Sequence, residues 1–358
     1  MILGQIAMKR KAGAGLQTED QSLVEGCGVG KFSPWHLEWF WDLGSGGRGF
    51  PGVWYFWIGM SMSNLILSKS ALNAELERIL HFIKAEVGPF KIVLGLSGGL
   101  DSDVTARLCQ RALGSENLKC FTVLQEDFES KYIENVRNLK DDLGVQLVEI
   151  PFGPFPQKLM TIISESDPEM GFLTEPNSLD VTRGKNAIRT FIHAVYAERG
   201  HLVMGTTNKT ELELGYFLPL GDHIAHICPI MHLYKSQVRQ LAEILGTRPE
   251  VISQAPAAGL RIGDDDLIGL SFWIYDEAPI QVERKRDPAS IDAIRKIYNQ
   301  LSYFALDQAL IGMDQGWTSI QIAEASKLPV DIIQKLIKLM KEIYSYKRRE
   351  FGVGLGKE

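Results

Sequence analysis

Leu72, Leu76, Ile79, Leu80 and Ile83 recur at helical spacing and stop at Gly88-Pro89, which predicts a helix from about Ser70. The apolar run Lys91–Leu96 then reads as a strand and leads through a Gly-Gly turn into a helical pattern over Ser102–Leu113. The alternation continues: strand Lys119–Leu124, helix Ser130–Leu143, strand Gln146–Pro151, a short helix and loop over Pro154–Glu169, helix Val181–Glu198 and strand His201–Gly205. Strands and helices alternating at these lengths predict a parallel sheet covered on both faces. A helix at Lys235–Leu245 and a loop rich in Ala, Pro, Gly and Asp (Ala255–Asp266) follow. Helices at about Ser290–Leu301 and Phe304–Met313 and a final pair from Ser319 to Arg349 complete the pattern.

The first sixty residues have no such period. They hold five of the seven tryptophans, Trp35, Trp39, Trp41, Trp54 and Trp57, among repeated glycines. Either they form an extension that lies on the body or on a partner, or they are upstream sequence with Met60 or Met62 as the natural start. The second is the expectation, with no chemistry in this region. The pattern divides the chain into an irregular extension (1–66), an α/β core (67–287), C-terminal helices packing on that core (288–350) and a tail (351–358).

At 358 residues the chain exceeds the size at which one core stops growing, so one large domain with appendages is expected. A net charge of −6 argues against a general nucleic-acid binder. Cys27, Cys109, Cys120 and Cys228 lack the paired spacing of a zinc site or disulfide framework and fit a reducing compartment, the cytoplasm. No apolar stretch is long enough to predict a membrane span. Gly316 to Val330 could be taken for a helix-turn-helix, but the second helix lacks early basic residues, so packing on the core is expected.

The chemistry is concentrated at Leu96-Ser97-Gly98-Gly99-Leu100-Asp101-Ser102. A strand that breaks into a Ser-Gly-Gly turn at a helix start can hold phosphate, because glycine lets backbone approach an anion and the helix N-terminus presents N–H groups. No lysine follows the glycines, so this is not the loop that grips β- and γ-phosphates. The aspartate suits a metal ion bridging phosphate oxygens. Three further clusters follow: Met204 to Glu211 with Leu214 to Asp222; Pro229 to Arg239; and Ala255 to Leu260.

In order and spacing these four clusters resemble the ammonia-dependent NAD synthetases of the ATP pyrophosphatase (PP-loop) superfamily, from about Ala74 to Arg349. The resemblance implies a Rossmann-like fold of the adenine nucleotide alpha hydrolase type, with a C-terminal helical portion. It implies that ATP adenylates a carboxylate, by default deamido-NAD, with release of pyrophosphate, and that ammonia then displaces AMP. Leu96, Ser97, Gly98, Gly99 and Ser102 would bind the phosphates of ATP, Thr206 would contact ATP, and Asp101 and Glu211 would bind Mg²⁺. Lys235 would neutralise the phosphates. With Asp101 and Glu211 it would form the catalytic set. The partners implied are a small carboxylate and ammonia or an amine, with neither nucleic acid nor membrane, in a homodimer. Glutamine-dependent members carry a large amidase domain before the synthetase, for which the region before Ser70 is too short.

The acceptor side departs from the family pattern. Its A-R-x-R-M run reads Ala187-Ile188-Arg189-Thr190, keeping only the second arginine position. Pro219 stands for a substrate-contacting lysine, His223 and Ile224 for two glycines, and His226 for an aspartate. The C-terminal H-K-R reads Tyr346-Lys347-Arg348, and Gln254 replaces the lysine of a K-x-P-[ST]-A loop. Arg189, Asp222, His223, His226, Tyr346 and Lys347 are therefore the candidate acceptor contacts, while His193 is expected to be packed or half-exposed. These departures admit a divergent paralogue acting on a different small acid. A PP-loop enzyme that modifies a tRNA base is a more remote alternative, since no paired cysteines are present.

Overall fold

The computed structural model describes residues 65–125, 129–221, 224–255, 265–279 and 286–346. The expectation for residues 1–64, including Met60 and Met62, lies outside these, as do Asp222, His223 and Lys347. In chain order the first half contains α1 (Lys69–Val87), β1 (Lys91–Gly95), α2 (Leu100–Leu113), β2 (Leu118–Leu124), α3 (Ser130–Leu143), β3 (Gln146–Pro151), α4 (Phe155–Ser166), α5 (Leu179–Ala197) and β4 (His201–Val203). The second half is helical: α6 (Lys209–Leu214), α7 (Lys235–Leu245), α8 (Pro249–Ser253), α9 (Asp266–Asp276), α10 (Pro288–Tyr298), α11 (Tyr303–Asp314), α12 (Ser319–Ser326) and α13 (Val330–Tyr346).

The four strands pair in parallel in the order β3-β2-β1-β4, with Val93 of β1 opposite Lys119 of β2 and Val203 of β4. Alternation along β1 sends its side chains to two cores. Ile92 and Leu94 join Val104 and Leu108 of α2 and Val238 and Leu241 of α7. Val93 joins Phe121, Val123, Val203 and Ile188 of α5 on the opposite face. Both faces are thus covered, as parallel sheets require. The chain moves outward from β1 to β3 and returns to the other side of β1 for β4, so the loops after β1 and β4 diverge. That divergence opens a crevice at the carboxyl ends of the strands.

A further apolar cluster lies outside the sheet and joins Leu214 and Tyr234 to α9 through α13. Ile322, Leu328, Ile332 and Ile333 are buried there, so α12 and α13 pack as helices against their neighbours. β4 is shorter than the predicted strand. After Val203, Met204 bridges to Ile227 and Gly205 passes so close to Cys228 that a Cβ would meet its Sγ at 2.5 Å. Helix α9 is absent from the sequence-based reading because its run Leu267–Ile274 shows no regular polar spacing. It lies within the segment assigned above to the core, yet it packs in the helical cluster. Among the described residues no helix is long and apolar enough to cross a membrane.

Candidate active site

A cleft of about 350 Å³ opens at the carboxyl ends of β1 and β4. One wall is the turn after β1. Gly98 makes it possible: its φ is +75°, and a Cβ there would lie 2.2 Å from the Tyr132 carbonyl oxygen. The turn is laced by its two serines. Their Oγ atoms lie 3.1 Å apart, Ser97 Oγ accepts the Gly99 N–H at 3.3 Å, and the Ser102 hydroxyl donates to the Gly99 carbonyl at 3.0 Å. The Gly98 carbonyl is held by Asn135 Nδ2 at 3.1 Å and Gln254 Nε2 at 3.0 Å. No side chain caps α2 at Gly99, so its first turn offers backbone N–H groups and the positive end of its dipole to an anion.

The second wall carries charge. Lys235, the first residue of α7, is 3% exposed, and its Nζ donates to Asp101 Oδ2 and to Glu211 Oε1, the latter at 3.2 Å. Asn208 joins the same group. Its side-chain oxygen accepts the Glu211 N–H at 3.0 Å to cap α6, and its Nδ2 donates to Asp101 Oδ1 at 3.0 Å. Burial opposes the charge on Lys235, but the carboxylates of Asp101, Glu211 and Asp266 overcome it and hold the ammonium above its ordinary range. Burial pushes the Glu211 carboxyl up to about 8; Lys235 pulls against this, and Asp101 and Asp266 add to it. Asp101, Glu211 and Asp266 thus bring three carboxyl groups to bear on one ammonium. Among the described residues no group of three or more His, Cys, Asp or Glu side chains is arranged to hold a metal ion. Asp101 and Glu211, which share Lys235, are the two carboxyl groups here that could hold a cation together with phosphate oxygens and water.

The third wall is α5. Arg189, Asn186 and Thr182 line the cleft, and Ala187, where the first family arginine would stand, is exposed. His193 lines the cleft too, packed edge-on against Phe121 with ring centroids 5.0 Å apart. Burial, with Arg189 nearby, pulls its pKa down to about 4, so the imidazole is neutral at physiological pH. His193 Nε2 and Thr182 Oγ1 are buried and make no hydrogen bond.

The structure brings Leu96, Ser97, Gly99, Asp101 and Ser102 into one cleft with Thr206, Glu211, Lys235 and Arg189, and Gly98 forms the turn itself. His226 is elsewhere. It runs beside the far edge of β4, where its Nδ1 accepts the Val203 N–H at 2.9 Å and its own N–H donates to the Val203 carbonyl at 3.0 Å. Pro219 is not part of the cleft wall, although Leu218 is. Tyr346 ends α13, with its side chain outside the described residues.

Sequence reasoning missed several contributors. Asn208 stood inside a recognised cluster, and its Asn-x-x-Glu spacing is a capping-box signal that could have found it. Gln254 looked like a loss and proves to be a tether to Gly98. Asp266 and Asp307 carry no local signal.

Comparison with known proteins adds likenesses of sequence and fold. The family model described as NAD synthase matches residues 74–301. A protein of Thermoplasma acidophilum named NH(3)-dependent NAD(+) synthetase is 32% identical over 206 residues, covering 57% of this chain and 81% of that protein. A protein of the same name from Pelodictyon phaeoclathratiforme is 35% identical over 219 residues, covering 61% and 76%. Among solved structures, an NH3-dependent NAD synthetase from Campylobacter jejuni aligns with a TM-score of 0.54 at 22% identity, covering 79% of this chain and 99% of that one. This last likeness is one of fold.

Proposed function

The chain belongs to the NAD synthase family, and from its cleft we propose that it makes NAD⁺ from deamido-NAD, ammonia and ATP. The observation that carries the proposal is the convergence of the Ser97 turn, Asp101, Glu211 and Lys235 on one cleft. A carboxylate does not react with ammonia because oxide is its leaving group. In this reading a carboxylate oxygen of deamido-NAD attacks the α-phosphorus of ATP, and the bond to the bridging oxygen breaks to release pyrophosphate. Ammonia then attacks the acyl carbon, AMP leaves with the electrons of the acyl–oxygen bond, and the amide nitrogen gives up a proton.

The protein's task is to hold charge where it accumulates. Ser97, Gly98, Gly99 and Ser102 cradle the pyrophosphate portion with hydroxyl and backbone donors, and Lys235 sets a compact positive charge beside it. Asp101 and Glu211 would hold Mg²⁺, which when bound supplies positive charge against the phosphate oxygens. Leu96 and Thr206 line the ATP side, while Arg189 and Asn186 face the acceptor from α5. The relatives described above support neither a different acid nor a tRNA base as acceptor.

The exposed apolar side chains Ile162 of α4 and Phe191 and Val195 of α5 fit a face covered by a second copy, and we assign the homodimer to it. Light scattering of the wild type and of Phe191→Glu checks this; a wild type that is monomeric at assay concentration removes it. Cys109 and Cys120 are buried free thiols that suit a reducing cytoplasm. The decisive assay supplies ATP, Mg²⁺, ammonium and deamido-NAD. Equal amounts of NAD⁺, AMP and pyrophosphate are expected, and formation of ADP and orthophosphate would overturn the proposal.

A further inference from the structure

Two of the charged residues in this reading stand at helix starts. Glu211 is in the first turn of α6, and Lys235 is the first residue of α7. A helix start is a loose place for a catalytic group, because its first N–H groups lack intrahelical acceptors. The residue before α7, Tyr234, makes no side-chain cap. The acceptors come from elsewhere. The Lys235 N–H donates to Thr210 Oγ1 of α6 at 2.8 Å. The Ser236 N–H donates to Asp307 Oδ2 of α11 at 2.8 Å. The Thr210 hydroxyl closes the loop by donating to Asp307 Oδ1 at 2.5 Å.

One carboxylate thus fastens the starts of both helices to each other and to α11. Thr210 and Asp307 are 0% exposed, and neither lines the cleft. A buried carboxylate is costly unless its oxygens are bonded, and here both are, at the positive end of a helix dipole. Fully satisfied, such a network fixes one arrangement. Helix α11 adds Tyr303 one turn earlier, whose ring centroid lies 5.4 Å from Lys235 Nζ.

We propose that Asp307, acting through Thr210 and the Ser236 N–H, is a positioning residue that sets the Lys235 ammonium and the Glu211 carboxylate at the spacing the phosphate site needs. The proposal rests on the functional reading above. It also predicts a local rigidity that can be measured without turnover.

The test uses the full chain with Asp307→Asn, Thr210→Val, Thr210→Ser and the double variant Asp307→Asn/Thr210→Val. In hydrogen exchange, Asp307→Asn is expected to speed the Lys235 and Ser236 amides at least tenfold while the β1 and β2 amides keep their protection. In pyrophosphate exchange with deamido-NAD, kcat per folded molecule is expected to fall at least tenfold for Asp307→Asn and Thr210→Val, with KM for ATP within threefold. Thr210→Ser keeps the hydroxyl and is expected to recover most of the turnover lost in Thr210→Val. The double variant is expected to be no worse than the poorer single one.

A purely structural role would lower Tm and leave kcat per folded molecule within twofold of wild type; that result overturns the proposal, as do additive losses in the double variant. Should Asp307→Asn fail to fold, the comparison of Thr210→Val with Thr210→Ser decides alone. A wild type that releases no pyrophosphate sinks the functional reading instead, and unchanged amide exchange at Lys235 and Ser236 would then still refute the clamp.

Discussion

The two sides of the cleft are built differently. On the side of β1, α6 and α7, polar atoms are engaged with one another: the serines of the turn, Asn208 with Asp101 and Glu211, and Lys235 with both carboxylates. On the α5 side, His193 Nε2 and Thr182 Oγ1 are buried without hydrogen-bond partners and stand among apolar neighbours such as Phe121 and Val203. The first side is preorganised for charge, which is how enzymes stabilise charge that develops during reaction. The second sets the packing of His193 on Phe121 beside the polar side chains of Asn186 and Arg189. A group that acts on phosphate and a group that recognises an acceptor therefore respond differently to substitution, and four experiments exploit that contrast.

The largest effect is expected for Lys235→Met, which removes the one ammonium shared by Asp101 and Glu211. Turnover should fall about 10²–10³-fold, read as AMP release at saturating ATP; a loss below tenfold would show that the charged side is dispensable. Gly98→Ala comes next. The positive φ and the Tyr132 carbonyl 2.2 Å from the new Cβ force the turn to move, so a loss of about 10²-fold or more is expected in pyrophosphate exchange. Crystallographic or NMR evidence of an unmoved, active turn would contradict this.

The third experiment uses pH. With its pKa raised to about 8, Glu211 is protonated on the acid side of that value and then cannot serve as an anionic ligand. The Mg²⁺ concentration for half-maximal rate should accordingly rise about tenfold as pH falls by one unit below it, and Glu211→Gln should abolish the dependence. A flat Mg²⁺ requirement from pH 9 to 6 would speak against the assignment. The smallest effect is expected for Arg189→Ala on the α5 side. KM for deamido-NAD should rise about tenfold with KM for ATP unchanged, and an equal rise in both would erase the distinction between the two sides.

The same contrast explains what could be read from the chain alone. The order β-turn-α around Ser97 is a local device, since the strand, glycines and helix start are contiguous and each signals its own geometry. Eight of the predicted elements from α1 to β4 appear within a residue or two of their expected bounds for the same reason. The other side is assembled from α5, the segment after α6 and α9, which meet only in three dimensions. His226 illustrates the limit. Its place where the family pattern has an aspartate suggested a substrate contact, but the chain turns there to run beside β4, and the ring is used by a backbone N–H. Helix α9 was hidden for another reason. It is wedged between the helical cluster and the cleft, so it has no continuous solvent face to print a period on its sequence. Asp307 was illegible because its partners lie 71 and 97 positions away.

That distance bears on how the protein is made. Synthesis proceeds from the amino end, so the phosphate turn, Glu211 and Lys235 all leave the ribosome well before α11. Until Asp307 has emerged, the Ser236 N–H lacks its carboxylate and the Thr210 hydroxyl lacks its acceptor. On the proposal above, a partly made chain that stops before α11 lacks the carboxylate that ties the starts of α6 and α7 together, and it holds Glu211 and Lys235 slackly.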